Sequence, residues 1–338
     1  MTNAHESASD RQHRAVLAAE TAPVPESERP EPGPIAILPE GESRFLGAVR
    51  AGGGDVEELS DRTRGLIWLS YRDPVAFAEV MDAHPKISWI QLPYAGVDAF
   101  AEVIADQARP GRIWTSAKGA YAQPVAEHAL ALTLALLRLL PKRVRATSWA
   151  ELQEGRSLYG LKVVIVGAGG IALELIRLLE PFGTHITIVR RSSDPVPGAD
   201  VTVPSERLAD VLPEADVVIV AAALTSGTRH LFGAPEFAAM KPEAYLVNIA
   251  RGGHVDTDAL LTALRDHVIA GAALDVTEPE PLPEGHPLWA EPNCLITPHQ
   301  ADTPEMTAPL LAERIRQNVE AFLGDGRFVG RVDPGAGY

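Results

Sequence analysis

From Ile35 onward the chain alternates short apolar runs with stretches of helical period. IAILP at 35–39, GLIWLS at 65–70 and SWIQLP at 88–93 read as strands, and PVAFAEVMDAH at 74–84 reads as a helix between two of them. A long helix is predicted over about 124–147. Pro124 suits its first turn, and Val125, Leu130, Leu132, Leu136, Leu137 and Leu140 make it apolar around much of its circumference, as for a helix buried between two domains. The alternation then restarts, with strands predicted at 162–167, 185–190, 217–221, 244–249, 270–275 and about 294–297. These six runs are continuously apolar, the pattern of parallel strands covered on both faces. A last helix is predicted over about 304–323. Residues 1–33, with prolines at 23, 25, 30 and 32 and no periodicity, read as a flexible tail. The expected fold class is therefore α/β with two doubly wound, parallel-sheet domains. One spans 34–123 and is completed by about 304–338; the other spans 124–303.

Composition narrows the function classes. The chain has 338 residues, enough for two domains, and 46% of them are apolar. With 45 acidic against 30 basic residues the formal charge is −15, which repels nucleic-acid phosphates and anionic lipid, so neither partner is expected. The longest apolar runs, 163–173 and 217–228, carry no charge but stop short of the ~20 residues that span a bilayer. The N-terminus MTNAHESASDRQHR lacks a basic segment leading into an apolar one, so a cytoplasmic location is expected. The single cysteine, Cys294, has no ligand cluster around it and reads as a packed thiol; no metal site is expected.

The chemistry starts where the LKVVIV strand runs into Gly167-Ala-Gly169-Gly170-Ile171-Ala172 and a helical stretch. This is the G-x-G-x-x-G/A pattern between strand and helix. Gly167 permits the tight turn, Gly169 lets the backbone approach a pyrophosphate, and small Ala172 allows close packing of helix on strand, which marks a Rossmann-like dinucleotide site. About twenty residues on, where an acid would accept from the ribose 2′-hydroxyl, the chain reads Arg190-Arg191-Ser192-Ser193. Guanidiniums there suit a 2′-phosphate, so NADP(H) is the expected cofactor, with NAD(H) as the alternative.

Further on come Asn248-Ile249-Ala250-Arg251-Gly252-Gly253, the segment GAALDVTEPEPLPEGHPLW at 271–289, and Thr297-Pro298-His299. With Tyr94-Ala95-Gly96-Val97-Asp98 and Val125-Ala126-Glu127-His128, these ordered motifs resemble the D-isomer-specific 2-hydroxyacid dehydrogenases, over a span from about Ile35 to the closing GY. The resemblance implies an active site in the cleft between two Rossmann-like domains. It matches Arg251 to the arginine that binds the substrate carboxylate, and Glu280 and His299 to the acid and histidine of the proton-donating pair. The roles are chemically coherent, since reducing a 2-oxo acid needs a cation, a hydride donor and an acid titrating near neutrality. Spacing alone does not separate Glu278 from Glu280; the resemblance favours Glu280 and predicts that it raises the pKa of His299.

By the same resemblance Leu224, Thr225, Ile249, Ala250 and Asp275 join the cofactor site, Asp275 near the nicotinamide carboxamide. The Gly96 and Val97 amides are matched to a substrate-carboxylate loop, Tyr71 and Arg72 to the region that selects the substrate side chain, and Trp289 to a pocket wall. The usual Pro-Leu-Thr after the fourth strand appears here as Ala223-Leu224-Thr225. His128 and His286 fall in motifs that look structural. The expected activity is NADPH-preferring reduction of small 2-oxo acids, such as glyoxylate or hydroxypyruvate, to D-2-hydroxy acids by a homodimer. The alternatives are an NAD-dependent dehydrogenase of another D-2-hydroxy acid and a non-catalytic dinucleotide sensor built on the same fold.

Overall fold

A computed structural model describes residues 21–70, 73–149 and 153–335. The chain divides into two compact units, one of Met1–Tyr121 with Thr303–Tyr338 and one of Ala122–Asp302.

The first unit is a parallel sheet of β1 (Ile35–Leu38), β2 (Gly65–Trp68), β3 (Trp89–Gln91) and β4 (Ile113–Thr115), in that spatial order. A single parallel bridge between Ile35 and Val56 adds a further position outside β1. Counting it, the chain visits the sheet in the order 2-1-3-4-5 and is doubly wound. Helices α1 (Ser43–Ala51), α2 (Pro74–Ala83) and α3 (Ala101–Asp106) connect the strands. Asp73 starts α2 by accepting from the Ala76 amide at 2.9 Å, with Pro74 at the first position, where its missing N–H costs nothing. The helix Pro304–Leu323 packs on α1 and returns the chain to this unit.

The flexible tail expected over 1–33 is corrected over its described part. Val24 is buried and its amide bonds to the Gly326 carbonyl, Arg29 Nε donates to the Val24 carbonyl, and Ser88 Oγ donates to the Glu31 carbonyl. One apolar anchor and these backbone bonds hold residues 21–33 against the unit, which a proline-rich composition does not reveal. The remainder of the expected tail, 1–20, lies outside the described residues.

The second unit opens with α4 (Ala122–Leu137) and α5 (Leu140–Val144). The sequence pattern predicts one helix here, and Pro141 is why there are two. It has no N–H to offer the Leu137 carbonyl, which accepts instead from the Arg156 amide at 2.8 Å, and Leu139 turns left-handed at φ 53°. There follow β5 (Lys162–Val166), α6 (Gly170–Leu179), β6 (His185–Arg190), β7 (Val201–Pro204), α7 (Leu208–Val211), β8 (Val217–Val220), α8 (Ala234–Ala239), β9 (Tyr245–Asn248), α9 (Thr257–Arg265), β10 (Gly271–Leu274) and β11 (Cys294–Ile296). The seven strands are parallel in the order β11-β10-β9-β8-β5-β6-β7. β7 is the strand of this sheet that the apolar runs do not announce, because it is a four-residue edge strand in which Val203 alone is buried. α4 packs along α6 and onto β9 and β10. The direction of winding reverses between β5 and β8, so the carboxyl ends of these strands form the crevice in which such sheets bind ligands. Among the described residues no helix is long and apolar enough to cross a membrane.

Candidate active site

The fingerprint glycines occupy the exit of β5. Gly167 has φ 115°, and a Cβ there would lie 2.4 Å from the Ala221 carbonyl oxygen, so only glycine passes between β5 and the chain leaving β8. Gly169 caps α6 without a side-chain bond, and a Cβ on it would meet nothing within 4 Å. Gly170 and Ile171 form the first turn of α6, and Ala172 is fully buried beneath it. Open space over an uncapped helix N-terminus suits a dinucleotide diphosphate.

The Gly167 amide bonds to the Val189 carbonyl at 2.8 Å, which sets this loop beside the end of β6 and therefore beside Arg190. Arg190 is partly exposed and, among the described residues, has no side-chain hydrogen bond or ion pair; Arg191 is exposed. Ser192 Oγ donates to Asp194 at 2.8 Å, so an acid also stands close to this basic corner.

On the other side of the switch point, Ile249 and Ala250 are buried behind β9. Leu224 packs against Gly253, and His254 bridges to the Ala223 carbonyl at 3.3 Å, so the loop after β8 rests on the Arg251 segment. Thr225 is braced within its loop, its amide donating to Thr228 Oγ1 at 2.8 Å.

Arg251 follows β9 in extended conformation. Its carbonyl accepts from Asn248 Nδ2 at 2.9 Å and from His254 Nδ1 at 3.0 Å, while its Nη1 donates to the Ala250 carbonyl at 2.8 Å. Burial holds the His254 pKa down, against the two carbonyls its ring nitrogens face, and the imidazole braces the Arg251 segment. Gly252 explains how the acidic loop reaches this segment: any Cβ there would overlap the Thr277 carbonyl, at 1.9 Å. The strand ends of β9 and β10 thus carry Arg251 and the 277–281 loop side by side.

His299 meets that loop. Its Nδ1 lies 2.6 Å from Glu280 Oε1, its amide donates to the Asp275 carbonyl at 2.6 Å, and it adopts φ 53°, a left-handed conformation that His tolerates better than most side chains. Glu280 raises the His299 pKa above the ordinary imidazole value, outweighing burial and the opposing charge of nearby Arg251. Three residues that are far apart in sequence are brought together in one unit. The two acids differ in their partners. Glu278 is taken by Arg229 Nη2 at 2.7 Å and His230 Nε2 at 2.6 Å, leaving Glu280 as the partner of His299.

Asp275 is 1% exposed, and both carboxylate oxygens are engaged by the loop that carries His299. They accept from Thr297 Oγ1 at 2.6 Å and from the amides of Gln300 at 2.9 Å and Ala301 at 3.1 Å. Burial alone would raise this acid, but donation from His128, Thr297 and the two amides keeps it below the usual carboxylate range. The resemblance placed Asp275 near a carboxamide; what the geometry displays is a clamp on residues 297–301. Asp302, at the end of that loop, is pushed up chiefly by burial.

Gly96 and Val97 lie in the first unit, after β3, with Val97 buried. Trp289 is 41% exposed and donates from Nε1 to the Pro283 carbonyl at 3.0 Å. Tyr71 and Arg72 lie outside the described residues. His128, in a motif that reads as structural, brings its Nε2 to 2.9 Å from Thr297 Oγ1. No local pattern could pair two residues 169 positions apart.

Comparison with known proteins agrees with this geometry. Residues 129–301 match the model of the D-isomer specific 2-hydroxyacid dehydrogenase NAD-binding domain. A glyoxylate reductase of Thermofilum pendens is 34% identical over 259 residues, 73% of this chain and 75% of that one. A D-isomer specific 2-hydroxyacid dehydrogenase from Xanthobacter autotrophicus Py2, solved in complex with NADPH and MES, superposes with a TM-score of 0.78 at 27% identity, covering 91% of this chain and 100% of the other. An NADPH-dependent glyoxylate/hydroxypyruvate reductase from Sinorhizobium meliloti, solved with citrate, gives a TM-score of 0.70 at 27% identity over 91% of this chain and 98% of that one. A Rossmann-like unit with a fitted diphosphate loop and a family match across it make this chain an oxidoreductase that uses a nicotinamide dinucleotide, and it belongs to the D-isomer specific 2-hydroxyacid dehydrogenase family.

Proposed function

We propose that the protein is an NADPH-preferring reductase of small 2-oxo acids of the glyoxylate and hydroxypyruvate type. The observation that supports an oxo-acid reductase most strongly is the 2.6 Å His299–Glu280 pair beside Arg251. A reduced nicotinamide, when bound, supplies hydride for the substrate C2. The Arg251 guanidinium holds the carboxylate through charge-assisted bonds and draws electron density from the 2-oxo group. With Nδ1 occupied by Glu280, Nε2 of His299 is the nitrogen that holds the proton for the developing alkoxide. Glu280 stabilises the imidazolium and fixes its orientation. Having given up its proton, His299, whose side chain is 52% exposed, is reprotonated from water.

The pH dependence follows from the sign of the shift. A raised His299 pKa keeps the donor protonated above the ordinary histidine value, so reduction falls off only as pH climbs through the raised value. Glu280→Gln removes the negative charge and moves that alkaline limb to lower pH. A pH profile of kcat/KM checks it, and an unmoved limb would mean that Glu280 does not set the donor's pKa.

NADPH preference is supported by Arg190, which stands at the end of β6 without a side-chain partner among the described residues, and by the NADPH-bound and NADPH-dependent neighbours. In the variant Arg190→Asp/Arg191→Ser the ratio of kcat/KM for NADPH over NADH is expected to fall by roughly 10²-fold or more, from lost charge-assisted bonds to a 2′-phosphate. A ratio equal to that of the wild type would return the cofactor to NAD(H). Homodimerisation belongs to the same reading. A mass of two chains is expected by light scattering.

A further inference from the structure

We propose that His128 is a positioning residue for the proton donor: acting through Thr297 and Asp275, it fixes the loop that holds His299. The inference rests on the reading of His299 as that donor. Counting protons gives the direction of each bond. The Asp275 carboxylate can only accept, and Thr297 has one hydroxyl proton, which goes to Asp275 Oδ1 at 2.6 Å. At the 2.9 Å contact between Thr297 Oγ1 and His128 Nε2 the hydroxyl is therefore the acceptor, and His128 must donate from Nε2. That same N–H lies 3.4 Å from Asp275 Oδ1, so it serves both partners.

The consequence reaches His299 because Asp275 brackets it. The side chain of Asp275 holds residues 297, 300 and 301, and its carbonyl holds the His299 amide at 2.6 Å. His299 stays at φ 53° only while this frame over-determines it. His128 enters the frame from α4, an element separate from both strands, and ties β10 and β11 ends to that helix. Besides Asp275, Asp302 lies within electrostatic reach of His128 and makes no hydrogen bond to it among the described residues. A histidine kept only to fill space would be replaceable by leucine, whereas a required donor would be replaceable by glutamine.

Those two substitutions make the test. His128→Leu is expected to lower kcat for glyoxylate reduction roughly 10- to 100-fold, as for a lost bond to a buried charged network, with KM for NADPH little changed. His128→Gln, whose amide offers an N–H in place of Nε2–H, is expected to recover most of that loss. By proton–nitrogen NMR of the full chain, the His299 Nδ1–H signal protected by Glu280 should persist in the wild type and His128→Gln and vanish into solvent exchange in His128→Leu. A folded His128→Leu with wild-type kcat and an intact signal overturns the proposal, as does a glutamine variant no better than leucine. Should His128→Leu not fold, Thr297→Val removes the hydroxyl that joins the two sides. The same fall in kcat and lost signal then support the proposal, and wild-type values overturn it. A wild type that turns over no 2-oxo acid would refute the reductase reading, while the NMR comparison would still decide the role of His128.

Discussion

His299→Asn is expected to lower kcat for 2-oxo acid reduction by roughly 10²- to 10⁴-fold, the usual worth of a positioned general acid. Asparagine is the informative replacement because the residue sits at φ 53°, where asparagine is among the few side chains that rest without strain. The Asp275 carbonyl keeps its bond to the backbone amide, so the loop is preserved while the titrating group is removed. Binding of NADPH, measured by fluorescence titration, should change little, and the alkaline limb of the pH profile should disappear. A variant that keeps near wild-type turnover would remove His299 from the proton transfer.

Arg251→Ala is expected to cost about 3–5 kcal/mol in kcat/KM, a loss of roughly 10²- to 10⁴-fold, because two charge-assisted bonds to a carboxylate are given up together. The segment should survive the substitution. Its carbonyl remains anchored by Asn248 and His254, and Gly252 still admits the Thr277 backbone. Lysine is not an adequate substitute, since a point charge cannot reproduce the planar fork, and Arg251→Lys should recover only part of the loss. Steady-state kinetics with glyoxylate would measure both variants. If Arg251→Ala retains kcat/KM within a few-fold, the carboxylate is held elsewhere.

How far the sequence carried depends on whether a feature is local or long-range. Strands such as KVVIV and VVIV were legible because both faces of the sheet are covered and their apolar runs are unbroken. β7 was not, since an edge strand of four residues resembles loop sequence. Pro141 was visible, but whether it would break the helix depended on where the Leu137 carbonyl would find another donor, and that donor is Arg156. The glycine fingerprint was legible because its steric demand is local: Gly167 must pass the Ala221 carbonyl. Glu280 against Glu278 was undecidable by spacing, and it took Arg229 and His230 folding back onto Glu278 to separate them. The contacts of His128 were hidden for the same reason, since its partners arrive from two other strand ends.

The most direct measurement is the initial velocity of the purified protein with NADPH and with NADH, across glyoxylate, hydroxypyruvate, pyruvate and a bulky aryl 2-oxo acid. Fastest turnover is expected with NADPH on glyoxylate or hydroxypyruvate, with one cofactor consumed per D-2-hydroxy acid formed where the product is chiral. Faster turnover with NADH, or no turnover with any pair despite tight cofactor binding, would contradict it.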